Sequence, residues 1–105
     1  MSEKVKIYRN LSAMVKDLKI FRTPESEISE IVRHEKAHYN KAVELGYKPQ
    51  YCLVFSNIEQ LKFRPSIRIA ENKNLSDSDL KKILMAPKDP SDRDLRRLAY
   101  LEGLI

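Results

Sequence analysis

His34-Glu35-Lys36-Ala37-His38 gathers both histidines of the chain into one HExxH pentapeptide. Two histidines four residues apart on an α-helix lie one turn apart on the same face, so their ring nitrogens can converge on one ion at roughly 2.0–2.1 Å. Glu35 projects beside them. From there its carboxylate can take a proton from a metal-bound water whose pKa zinc lowers to roughly 7, freeing hydroxide to attack a carbonyl. The chemistry implied is zinc-dependent hydrolysis, with His34 and His38 as metal ligands, Glu35 as general base and Zn2+ as the cofactor.

Such a motif needs one uninterrupted helix, and residues 23–46 read as one. Thr23 suits the N-cap, Pro24 the first helical position and Gly46 the position just past the end, while Glu25 and Glu27 favour the positive end of the helix dipole. Advancing roughly 100° per residue from His34, one half-circle collects Leu45, His38, Ile31, Ala42, Glu35, Ile28, Tyr39, Val32 and Val43. The charged residues gather on the opposite half. The three motif residues therefore face the apolar side of the helix, where burying them without compensation costs roughly several kcal/mol per charge; a divalent cation is the natural partner.

The stretch from His34 to Gly46 resembles HExxHxxxAxxxG, a form common in zincin metallopeptidases and similar to the motif helix of site-2-protease-type enzymes, with Ala42 and Gly46 at the matching places. The resemblance implies zinc ligands at His34 and His38, a catalytic base at Glu35, and a peptide or protein substrate. It covers the motif helix alone. Site-2 proteases are membrane-embedded, whereas this helix carries Arg33, Lys36, Lys41 and Glu44 and the chain has no apolar run of about 20 residues, so the likeness is to a soluble zincin and no membrane partner is expected. The extended metzincin signature is absent, because Lys41 stands where that pattern has Gly and Glu44 where it has His or Asp.

A catalytic zinc takes three protein ligands and a water. With no further His, the third ligand is expected to be a carboxylate, which resembles the gluzincin arrangement with a Glu on a later helix. Glu59, Glu71, Asp77, Asp79, Asp89, Asp92, Asp94 and Glu102 are the downstream candidates, and the sequence does not choose among them.

At 105 residues the chain is expected to form one minimal domain spanning residues 1–105. The expected class is α+β: the long motif helix packed with a small sheet of about three strands and two C-terminal helices. Residues 4–8 alternate Val5 and Ile7 with lysines and suggest an amphipathic strand; residues 12–18 suggest a short helix; residues 51–55 and 66–70 read as strands with residues 57–64 as connector. Pro65 fits a strand start or a sheet edge. Ser76 can cap a helix through Leu84, and Ser91 another from Asp92 to about Glu102, with Ala86-Pro87-Lys88-Asp89-Pro90 as a rigid link. Leu95, Leu98 and Leu101 are expected to pack the last helix against the motif helix, or to make it a cover over the site. The strand over residues 66–70 is a candidate edge for an extended substrate peptide. Cys52 lies in the apolar run Tyr51-Cys52-Leu53-Val54-Phe55 and is expected to be buried and structural. A single cysteine, with no secretory apolar segment near the first residue, suits a reducing cytoplasm.

Charge supports a second class of function. A net charge of +5 and a pI near 9.4, with Arg93, Arg96 and Arg97 on the last helix and Lys81 and Lys82 on the one before, allow a nucleic-acid-binding module. Asp92, Asp94 and Glu102 interrupt that basic patch. A third possibility is a regulatory module in which a structural or vestigial zinc site only staples the fold.

Overall fold

The computed structural model describes residues 3–69 and 75–104. In chain order the elements are β1 (Lys4–Tyr8), α1 (Leu11–Ile20), α2 (Glu25–Glu44), β2 (Pro49–Asn57), β3 (Lys62–Ile69), α3 (Asp77–Leu84) and α4 (Asp92–Leu101). The protein is thus mixed α/β, with four helices and one three-stranded antiparallel sheet in the order β1-β2-β3.

β2 is the central strand, and Tyr51 to Phe55 are all buried, as a continuous apolar run requires of a strand covered on both faces. Alternation then sorts its side chains. Tyr51, Leu53 and Phe55 join Tyr8, Met14, Leu18 and Ile28 in the main core, beneath α1 and α2. Cys52 lies on the other face and is buried and free, as its apolar context suggested, and burial foremost pushes its thiol pKa up. Tyr39 of α2 stacks on Tyr51 at a centroid distance of 4.5 Å, fixing the helix over the strand.

The pairing of β1 corrects the reading of its amphipathicity. Tyr8 opposes Tyr51 and Lys6 opposes Leu53, so Lys6 and Tyr8 take the core-side parity while Val5 and Ile7 lie on the far face, about half exposed. Lys6 is accommodated by an ion pair. Its Nζ lies 2.7 Å from Asp17 Oδ2 in α1, and the Tyr8 hydroxyl donates to the same oxygen at 2.6 Å. The Lys6 and Tyr8 hydrogen bonds hold the Asp17 carboxyl below the usual carboxylate range against the opposing effect of burial. A depressed acid adds stability above its unfolded pKa of about 3.9 and loses it as pH falls through the lower folded value. Asp17→Asn is therefore expected to cost about 1–2 kcal/mol at pH 7 and progressively less as pH falls below about 3.9, read as the gap between urea midpoints of the two proteins at pH 7 and at the acid end. A gap that is the same at both would overturn the assignment.

Several boundaries differ from expectation, each for a local reason. α1 starts one residue early because Asn10 caps it, its Oδ1 accepting from the Ala13 amide at 3.0 Å. α2 starts at Glu25 with Pro24 at the cap position and no side-chain cap, so Thr23 does not cap it. Instead Arg22, at φ 61°, closes α1 through the Thr23 amide bond to the Leu18 carbonyl. Gly46 does end α2 as expected: its φ of 92° is the left-handed conformation, and the Tyr47 amide reaches back to the Ala42 carbonyl at 3.0 Å.

β3 is longer than the expected strand and begins at Lys62, because Lys62 to Arg64 pair with Asn57 to Val54 rather than forming a connector; Ala70 lies outside the described residues. Among the described residues β3 pairs with β2 alone, so Pro65 sits on an edge strand, where a missing donor is tolerated. Ser76 and Ser91 cap α3 and α4 as their sequence positions suggested. The leucines of α4 do not form core against α2: Leu95 is 51% exposed, Leu98 and Leu101 are half-buried, and the buried residue of that helix is Asp94. Among the described residues no helix is long and apolar enough to cross a membrane.

Candidate metal centre

α2 presents a buried stripe of Ile28, Glu35, His38 and Ala42, with His34 half-buried beside it. This is the inward face the helical spacing predicts, narrower than the half-circle drawn from sequence, since Val43 is 50% exposed. The chain then runs through the sheet, α3 and the proline-flanked link before α4 returns over that face. Asp94 arrives there 60 residues after His34.

The geometry is that of three nitrogen and oxygen atoms facing one another. His34 Nε2 lies 3.0 Å from Asp94 Oδ2, His38 Nε2 lies 3.2 Å from the same oxygen, and the two Nε2 atoms are 3.1 Å apart. A tetrahedral ion roughly 2.0–2.1 Å from each ligand would hold such atoms roughly 3.3–3.4 Å apart. The triangle needs to open by only a few tenths of an ångström.

Proton accounting shows why this cluster favours a cation. A carbonyl only accepts, so the 2.7 Å contact between His38 Nδ1 and the Ile83 carbonyl puts a proton on Nδ1. Neutral His38 then offers a lone pair at Nε2, facing a carboxylate and a second imidazole. One proton on His34 Nε2 relieves one edge of the triangle and leaves His38 Nε2 and Asp94 Oδ2 as two acceptors in contact. Positive charge must enter, either as a second proton on His38 or as a metal ion. Burial opposes a second proton on His38, but the hydrogen bonds to Asp94 and Ile83 and the Asp94 and Glu35 carboxylates outweigh burial and raise the His38 pKa.

Each ligand is oriented by a second partner. The Ile83 carbonyl belongs to the last turn of α3, where helix carbonyls lack intrahelical donors, and it fixes the His38 tautomer that leaves Nε2 free to ligate. Asp94 is held by the N-terminal capping box of α4. Its Oδ2 accepts from the Ser91 amide at 3.0 Å while the Ser91 hydroxyl accepts from the Asp94 amide at 3.1 Å. Burial pushes the Asp94 pKa up, but the His38 and Ser91 hydrogen bonds prevail and hold it at about 2, so it is ionised throughout the neutral range.

Glu35 is different. Its residue is only 5% exposed, its Oε2 lies 3.9 Å from His34 Nε2, and burial drives its pKa from 4.5 to about 7, with His38 opposing and Asp94 reinforcing. His34, Glu35 and His38 together offer ligand atoms within 4.8 Å of one another and could hold a metal ion. Asp94 Oδ2 is nearer to His34 than Glu35 is, 3.0 against 3.9 Å, which favours Asp94 as the third ligand and leaves Glu35 beside the centre.

Of the other sequence candidates, Asp79 accepts from the Tyr47 hydroxyl at 2.6 Å and Glu102 pairs with Lys81 at 3.0 Å, so both tie elements together away from the histidines. Glu59, Asp77, Asp89 and Asp92 do not line the site, and Glu71 lies outside the described residues. The sequence carried one usable signal for Asp94. It occupies an i, i+4, i+7 stripe with Leu98 and Leu101, the three residues being buried or half-buried, and a carboxylate on an apolar stripe implies a partner.

A partly open cavity of about 340 Å³ sits over the cluster, walled on one side by β3 from Arg64 to Ile67 and Ile69 and on the other by α3 and α4. Sequence reasoning did not single out Arg64, nor place Arg93 and Arg97 at the site; all three line this cavity. Comparison of the chain with protein-family models, with curated proteins and with solved structures finds no match.

Proposed function

We propose that the protein is a zinc-dependent peptidase of the zincin type, with zinc held by His34, His38 and Asp94 and with Glu35 as general base. The observation that carries this reading is the meeting of His34 Nε2, His38 Nε2 and Asp94 Oδ2 at separations of 3.0 to 3.2 Å. Two imidazoles and a carboxylate are a donor set that suits zinc. Bound there, zinc would supply Lewis acidity, polarising an amide carbonyl and acidifying water beside it.

The remaining steps belong to the chain. Glu35, buried beside the ligands, takes the proton from the attacking water and returns it to the leaving amine. The walls of the cavity limit bulk water around it. β3, with one strand neighbour among the described residues, offers an edge along which an extended peptide adds by main-chain hydrogen bonds, setting its scissile carbonyl toward the histidines.

Hydrolysis of an unfolded protein substrate by zinc-loaded protein is the direct test. Activity is expected to vanish on chelation, to return with zinc, and to be absent from His38→Ala and Asp94→Asn. A protein that binds zinc stoichiometrically yet cleaves no unfolded substrate would replace this reading with a structural zinc staple.

A further inference from the structure

We infer that the site selects peptides bearing a carboxylate next to the scissile bond, recognised by Arg64, Arg93 and Arg97; this rests on the peptidase reading above. The argument begins with charge in the cavity. Among the described residues its only acidic groups are Glu35 and Asp94, both belonging to the metal centre, and a divalent cation offsets them. The Arg93 and Arg97 guanidinium groups then remain unopposed on the walls, with Arg64, paired to Glu3 through one nitrogen, across from them.

Their positions are not those of a uniformly solvated basic helix. Arg93 and Arg97 are one turn apart on α4 and flank Asp94, so the helix turn that delivers the ligand also brings two like charges to the cavity, while Arg96 points outside it. Like charges at this spacing repel on a helix, and neither arginine has an ion-pair or side-chain hydrogen-bond partner among the described residues. Arg64 stands on the opposite wall in β3. Its Nη1 donates to Glu3 at 2.9 Å, but its Nε–H is buried with no acceptor. A planar guanidinium with free donors matches a carboxylate in a bidentate pair.

A peptide lying along β3 would pass between these walls. The carboxylate could come from an Asp or Glu side chain or from a free C-terminus, and both present the same chemistry. Binding would be partly desolvated inside the cavity, where charge pairing counts for more than on an open surface.

The test uses zinc-loaded Glu35→Gln protein, which binds without turnover, and four acetylated alanine hexapeptides: glutamate or glutamine at one position, each with a free or amidated C-terminus. By calorimetry the peptides with a carboxylate are expected to bind roughly tenfold tighter than the fully amidated glutamine peptide, with the advantage shrinking as salt rises. Whether glutamate or the free terminus confers it identifies the source. Adding Arg93→Gln and Arg97→Gln, both at exposed positions that tolerate substitution, is expected to remove the preference while leaving the neutral peptide's affinity and the melting temperature unchanged. Equal binding of all four peptides, no measurable binding, or a preference that survives loss of Arg93 and Arg97 overturns the inference. If the preference is present but wild-type protein hydrolyses none of the peptides, the peptidase reading fails and the carboxylate site stands.

Discussion

Zinc added to the metal-free protein is expected to raise its unfolding free energy by about 4 kcal/mol once free zinc reaches roughly a thousand times the dissociation constant, because the ion binds only where the ligands have been assembled by folding. The magnitude follows from mass action; the dependence on particular residues follows from the site. Asp94→Asn removes the anionic ligand while keeping the size of the side chain, and His38→Ala removes a ligand whose orientation is set by α3. Both are expected to abolish most of the gain. Asp92→Asn, in the same first helical turn but exposed and away from the cavity, is expected to keep it. Thermal or denaturant unfolding with and without zinc, beside metal content, reads all four proteins. A full gain in Asp94→Asn would exclude that residue from the centre and return the third-ligand question to Glu35.

Glu35→Gln is expected to act in opposite directions on activity and stability. In the proposed role a general base contributes roughly 10²- to 10⁴-fold, so loss of Glu35 should leave the zinc-loaded protein nearly inert. In the metal-free protein the same carboxyl is a burden. Its folded pKa is raised by burial from 4.5 to about 7, so the folded state holds the proton more tightly than the unfolded chain. Stability is therefore lost as pH climbs from about 4.5 to about 7, amounting to about 3 kcal/mol, and Gln removes that loss. Metal-free Glu35→Gln should be the more stable protein at pH 7 and close to wild type at pH 4.5, by denaturant midpoint. The raised His38 pKa acts in the same direction, adding stability at low pH that is lost as pH rises through its folded value, and the part of that shift owed to the Glu35 carboxylate is absent from the variant. A variant less stable than wild type at pH 7 would show that Glu35 is structural. A glutamate that costs stability where it stands is retained for another reason, and proton transfer at the metal centre supplies one.

The features legible in the chain are those that neighbouring residues decide. The helical spacing of His34, Glu35 and His38, their common face with Ile28 and Ala42, the Gly46 terminus and the serine caps of α3 and α4 all arise within one or two helical turns. The apolar run of β2 announced a buried strand for the same reason. Where a boundary moved, a second local device had won: Asn10 capping α1, or Arg22 in a left-handed conformation displacing Thr23 as the start signal for α2.

Tertiary structure decided what sequence periodicity leaves open. The placing of Lys6 and Tyr8 rather than Val5 and Ile7 on the core-side parity, with Tyr8 buried and Lys6 exposed, depended on the register of β1 against β2, and a one-residue shift in parity exchanges the faces of a strand. The meeting of Asp94, among eight carboxylates, with the two histidines depended on where α3 and the link set the first turn of α4, because that contact closes in space across 60 residues while a capping box closes across three. Helical geometry alone puts the two histidines and the glutamate of the HExxH pentapeptide on one face. Asp94, the Ile83 carbonyl that accepts from His38, and the arginines around the cavity come from separate elements, and only their packing brings them to one place.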